Sequence, residues 1–152
     1  MPRTIISDAS CFILLSKIDE LDLLQKIYGS ITTTSEVASE FGLPLPAWVV
    51  IENPKFLDKQ LVLEQKLDRG EASAISLALE IADATIILDD QKARKIALEL
   101  GLDVTGTIGV IIKAKLKGVI PSIQPIIGQI RNTNFRLAPE IEFEALKQAG
   151  EL

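Results

Sequence analysis

Five carboxylates stand where a folded chain can gather them. Asp8 follows the β-branched run Thr4-Ile5-Ile6, and the pair Asp89-Asp90 follows Thr85-Ile86-Ile87-Leu88. Glu71 opens an apolar-periodic stretch beside Gly70, and Glu40 lies one turn into the segment after Thr34. Like charges about 4 Å apart repel by a few kcal/mol at an intermediate dielectric, so such a cluster must protonate or take up a cation. The chain has no histidine and one cysteine, Cys11. The ligands would therefore all be oxygen, which selects hard cations such as Mg²⁺ or Mn²⁺ over zinc. An ion held this way polarises a phosphoryl oxygen and lowers the pKa of a bound water, a route to phosphodiester hydrolysis without histidine.

Each of these residues also has a plainer reading. Asp8, Glu71 and Asp89 lie near expected helix starts, where a carboxylate is worth about 0.3–1 kcal/mol against the helix dipole. Glu36 and Glu40, four apart, form an ordinary solvated stripe, and local spacing leaves open which of them belongs with the other acids. Ser10 suits a cap as well as a ligand. Lys92, Arg94, Lys95, Lys113, Lys115 and Lys117 form a basic flank that can be plain helix surface. Trp48 and Phe41 read as core or interface residues before they read as base-stacking platforms.

These side chains need a scaffold that alternates strands and helices. β-branched runs predict strands at 4–6, 31–34, 48–51 and 85–88, with 48–51 at an edge, and a last inner strand at 102–105. Helical spacing predicts two short helices ending at Gly29, one capped by Ser35 and running to Phe41, and one from Leu57 to Leu67. Asp68-Arg69-Gly70 reads as a break before a helix from Glu71 to Ile81. Further helices are expected after Asp90 to Leu100, from Ile108 to Leu116, from Pro121 to about Ile130, and in an acidic tail at about 139–149. Strands separated by helices imply an α/β fold, a three-layer α/β/α sandwich around a central, mainly parallel sheet.

Composition bounds the rest. At 152 residues and 47% hydrophobic content the chain reads as one domain, 1–152, with a core of its own. A lone cysteine, no secretory leader and no apolar run of membrane-spanning length point to the cytoplasm and away from membranes. The net charge of −5 argues against non-specific nucleic-acid binding. Its distribution is uneven, because the basic flank precedes the acidic tail of Glu140, Glu142, Glu144 and Glu151.

The ordered pieces Ile6-Ser7-Asp8-Ala9-Ser10, Val37-Ala38-Ser39-Glu40, Gly70-Glu71-Ala72-Ser73-Ala74-Ile75, Leu88-Asp89-Asp90-Gln91-Lys92-Ala93-Arg94 and Val104-Thr105-Gly106-Thr107 cover nearly the whole chain. Together they resemble the PIN-domain family, and within it the VapC-like branch of prokaryotic toxin nucleases. The resemblance implies Mg²⁺- or Mn²⁺-dependent cleavage of single-stranded RNA, with Asp8, Glu40, Glu71 and Asp90 as catalytic metal ligands and Asp89 as an auxiliary acid. It also implies substrate contacts from Ser10, Lys92, Arg94 and Thr107, a cognate antitoxin protein and a homodimer. Two positions depart from the family pattern: Leu88 stands where many relatives carry Thr or Ser, and Glu71 where Asp is more usual. The alternative is a catalytically weak or inactive protein-binding module of the same fold, while a Rossmann-type nucleotide binder lacks its Gly-x-Gly-x-x-Gly run.

Overall fold

In the computed structural model, which describes residues 3–152, each β-branched run forms a strand. These are β1 (Thr4–Ser7), β2 (Ile31–Thr33), β3 (Val49–Ile51), β4 (Ala84–Ile87) and β5 (Asp103–Thr105). The first two residues of the expected 1–152 span lie outside the described residues. Between and after the strands come α1 (Ala9–Lys17), α2 (Asp22–Tyr28), α3 (Ser35–Phe41), α4 (Leu57–Leu63), α5 (Arg69–Glu80), α6 (Gln91–Glu99), α7 (Thr107–Leu116), α8 (Gln124–Arg131) and α9 (Pro139–Gln148). At least one helix separates each strand from the next, so every pairing is parallel.

The sheet order is β3-β2-β1-β4-β5. The chain moves outward from β1 to β3, then returns to start again at β4 on the other side of β1. That reversal opens a crevice beyond the carboxyl ends of β1 and β4, the place where open α/β sheets hold ligands. Both central strands are covered on both faces, which is why Ile5-Ile6 and Ile86-Ile87 read as apolar runs and not as alternations. In one helical layer α3 packs on α1 and α5, with α5 against β1 and β4, while α2 packs on α7 and α7 on α9. The result is the expected three-layer α/β/α sandwich. Phe41 is buried against Phe12, with ring centroids 5.7 Å apart, and half-buried Trp48 packs against the same core, so both follow the plainer reading.

Several boundaries differ from expectation for local reasons. The sheet is wholly parallel, and β5 is an edge strand because nothing follows it in the order. Thr34, not Ser35, caps α3: it is still extended, and its hydroxyl accepts the Val37 N–H at 3.2 Å. Asp68-Arg69-Gly70 is a helix start, not a break, since the Asp68 carboxylate accepts the Glu71 N–H at 2.8 Å. Helix α4 ends at Leu63, four residues early. Helix α8 begins at Gln124 with Pro125 in its first turn, leaving Pro121 outside. The turn before it is tied down by Glu151, whose carboxylate accepts from the Ser122 hydroxyl and the Ile123 N–H and pairs with Lys115. Among the described residues no helix is long and apolar enough to cross a membrane.

Ile86 is completely buried at the centre of this arrangement. Ile86→Ala is expected to destabilise the protein by about 2–5 kcal/mol, read as a lower urea midpoint with an unchanged m-value.

Candidate functional site

The register Ser7↔Ile87 sets the ends of β1 and β4 level, and the Asp8 N–H continues the ladder by donating to the Ile87 carbonyl at 3.1 Å. Asp8 is only 2% exposed. Its Oδ1 accepts the Cys11 N–H at 2.9 Å, capping α1, and its Oδ2 accepts the Asp89 N–H at 3.2 Å. One carboxylate thus ties the start of α1 to the segment leaving β4. Burial pushes the Asp8 carboxyl well above the usual carboxylate range, and the nearby charges of Asp89 and Glu71 push it the same way. The two N–H donors pull it down but do not prevail.

Asp89 is held by a single residue. Its Oδ1 accepts the Thr107 N–H at 2.8 Å and its Oδ2 accepts the Thr107 hydroxyl at 2.6 Å. Thr107, expected to contact substrate, is fully buried, and both of its donors are engaged on Asp89, so it positions that acid instead. Asp90 caps α6 by accepting the Ala93 N–H at 2.9 Å. Arg94, one turn later, donates from Nη1 to the Leu88 carbonyl at 2.8 Å. Gly106 leaves room for both groups: a Cβ there would lie 2.8 Å from Arg94 Nη1 and 3.1 Å from Asp89 Oδ1, so the guanidinium would have to shift. Leu88 is buried in the core, with its N–H on the Thr105 carbonyl.

Glu71 lies in the first turn of α5. Burial, then the charges of Asp68, Asp90 and Glu40, push its carboxyl from an ordinary 4.5 up to about 7. Glu40 sits in the last turn of the short helix α3, with Oε1 2.7 Å from where a Cβ on Gly70 would be. Its carboxyl is also raised, first by burial and then by Asp68. Glu40, not Glu36, is therefore the α3 acid whose field reaches α5. Asp68 belongs to the cluster and was not singled out from the sequence. The signal was present, since an Asp three residues before Glu71 at the head of an apolar stretch marks an N-cap. Ser10 and Lys92 are exposed on the first turns of α1 and α6.

No lysine or arginine contributes to the shifts of Asp8, Glu40 or Glu71. The acids are linked by mutual repulsion, yet among the described residues no three of them already form a closed ligand group. A separate cleft of about 490 Å³, lined by Arg3, Tyr28, Asp103 and Lys113, contains none of these carboxylates.

A family model described as a PIN domain matches residues 4–151. The chain belongs to the PIN-domain family. PIN domains are generally nucleases and usually use divalent metals, and this PIN domain has the five-strand parallel sheet with its acids at the carboxyl edge. A search of curated proteins gives no match.

The raised carboxyls set a pH dependence. A folded PIN domain that keeps protons on Glu71 where the unfolded chain has released them binds more protons than the unfolded state, so stability falls as pH rises. The Glu71 contribution is fully present below about 4.5 and is lost as pH climbs through about 7. The urea midpoint of the metal-free protein is expected to decline across that window, and Glu71→Gln is expected to flatten the decline; an unchanged slope would refute the assignment.

Proposed function

We propose that the protein is a Mg²⁺- or Mn²⁺-dependent endoribonuclease that hydrolyses phosphodiester bonds in single-stranded RNA. The observation that carries this reading is the buried Asp8 carboxylate, fixed by two backbone N–H groups beside Asp89 at the switch point of the sheet. An oxygen-only set of acids under mutual repulsion fits a hard cation in its chemistry.

Asp8, Glu40, Glu71 and Asp90 would hold the ion, with Asp89 as the auxiliary acid. When bound, the ion supplies a water of lowered pKa and offsets charge on the phosphoryl group. The chain's own part is positional: Thr107 fixes Asp89, the Asp8 hydrogen bonds fix α1 against β4, and Gly106 lets Arg94 approach that edge. Lys92 and Arg94 would hold RNA phosphates, with Ser10 beside the metal. On the strength of the ordered motifs we extend the reading to the toxin of a toxin-antitoxin pair, acting in the cytoplasm as a homodimer and blocked by a cognate antitoxin protein.

A second reading, a protein-binding module with little or no catalysis, draws on the absence of a closed ligand trio among the described residues. The two separate on thermal stability, because an ion that binds only the folded state stabilises it by about 2.7 kcal/mol at a hundredfold excess over its Kd. Addition of Mg²⁺ or Mn²⁺ is expected to raise the melting temperature of the wild type; no response supports the binding module. Asp8→Asn is expected to abolish metal-dependent RNA cleavage while the protein stays folded by circular dichroism. Thr107→Val is expected to lower cleavage by about 10–100-fold, the usual effect of removing a residue that orients a metal ligand.

A further inference from the structure

Beside the acids, along the open edge of β5, lies a cleft of about 450 Å³. Asp89, Arg94 and Gly106 form one end of it, so it is continuous with the acidic crevice. Its walls are mixed, with apolar surface from Val104 and Ile108 and from Phe135, Leu137 and Ile141, which are brought over by the segment before α9 and by α9 itself. Four charged side chains share the lining: Asp89, Arg94, Arg136 and Glu144. Arg136 reaches it from the segment between α8 and α9, and Glu144 reaches it from α9, where Gln148 Nε2 donates to Glu144 Oε1 at 3.2 Å. Among the described residues neither Arg94 nor Arg136 is ion-paired with a carboxylate.

A slot with one aromatic side chain, aliphatic packing and several polar groups has the anatomy of a site for a flat ring with polar edges. Single-stranded RNA offers such rings, since its unstacked bases are read by stacking on aromatic side chains and by hydrogen bonds to their edges. The polar pair then narrows the choice. A guanidinium only donates and a carboxylate only accepts. Guanine is the base that presents two adjacent acceptors, O6 and N7, to a guanidinium and two adjacent donors, N1–H and the 2-amino group, to a carboxylate.

We propose that this cleft is a guanine-recognition subsite, in which Phe135 stacks on the base while Arg136 and Glu144 read its edges, placing the attached phosphate toward Asp89. This assignment rests on the ribonuclease reading for its substrate. It gives the segment 132–138 and α9 a role in selecting where RNA is cut, apart from the acids that cut it.

The test uses the full chain in two arms. In the first, GMP, AMP, CMP and UMP are titrated separately into metal-free protein and followed by amide chemical shifts. GMP is expected to bind about tenfold or more tightly than UMP, with shifts centred on residues 104–112 and 135–148, and Glu144→Ala and Arg136→Ala are each expected to remove that preference. Both positions are exposed, and thermal melts check that the variants fold. Equal affinity for the four nucleotides, or shifts centred elsewhere, overturns the subsite. In the second arm, RNAs carrying one guanine in an otherwise uniform context are incubated with Mn²⁺. Cleavage beside the guanine, lost to random cleavage in Glu144→Ala, supports the subsite; cleavage with no base preference overturns it and leaves the nuclease standing. Guanine-selective binding with no cleavage of any RNA leaves the subsite intact and removes the nuclease.

Discussion

Mutual repulsion among carboxylates at the ends of β1 and β4 is the constraint around which this structure is arranged. Asp8, Asp89 and Asp90 leave adjacent strands, and Asp68 and Glu71 arrive from α5 across the crevice. Burial of Asp8, partial burial of Glu71 and the charges of their acidic neighbours raise both carboxyls above the ordinary range. The acids at the strand ends are held by backbone N–H groups and one threonine, donors that fix their direction.

Of the acids near helix starts, Asp8 is a cap as expected, Glu71 and Asp89 are not, and the capping of α5 and α6 falls to Asp68 and Asp90. Asp8, Asp68 and Asp90 each accept an N–H from the first turn of the helix they precede. The partial positive charge of three helix starts therefore converges on the crevice and offsets part of the repulsion. Asp68 and Asp90 each use one carboxylate oxygen on a backbone N–H, whereas Asp8 uses both, Oδ1 on Cys11 and Oδ2 on Asp89. Doubly wound topology makes this possible, since strands on either side of the switch point send their helices away in opposite senses and leave the starts facing a common gap.

Glycine appears where backbones and charged groups must approach closely. Gly70 admits Glu40 from α3, and Gly106 admits both Arg94 and Asp89. A methyl group at either position would displace an acid or a guanidinium from the edge of the crevice. The C-terminal part of the chain bears on the same edge. Arg131 pairs with Glu142, and Lys115 with Glu151, so α8, α9 and the tail are fastened to α7, and the wall of the β5 cleft is fastened with them.

The order and type of the elements were legible from residue pattern, because a parallel sheet buried on both faces demands β-branched apolar runs separated by helical periodicity. So was the absence of nitrogen and thiol ligands beyond Cys11, which restricts the chemistry to oxygen whatever the fold. Boundaries were less legible: Thr34 and Ser35 are equally good caps by type, and only the end of β2 decides between them. Which acids share a field depended on the sheet order, since Asp8 and Asp89 are 81 residues apart and become neighbours only because β1 pairs with β4. Asp68 and Glu40 joined the cluster through the packing of α3 on α5, and Thr107 was recast from a substrate contact to a support by its burial and its two hydrogen bonds to Asp89. Residue types determined what chemistry the chain can do; long-range strand pairing and helix packing, which no local pattern encodes, determined which of those residues do it together.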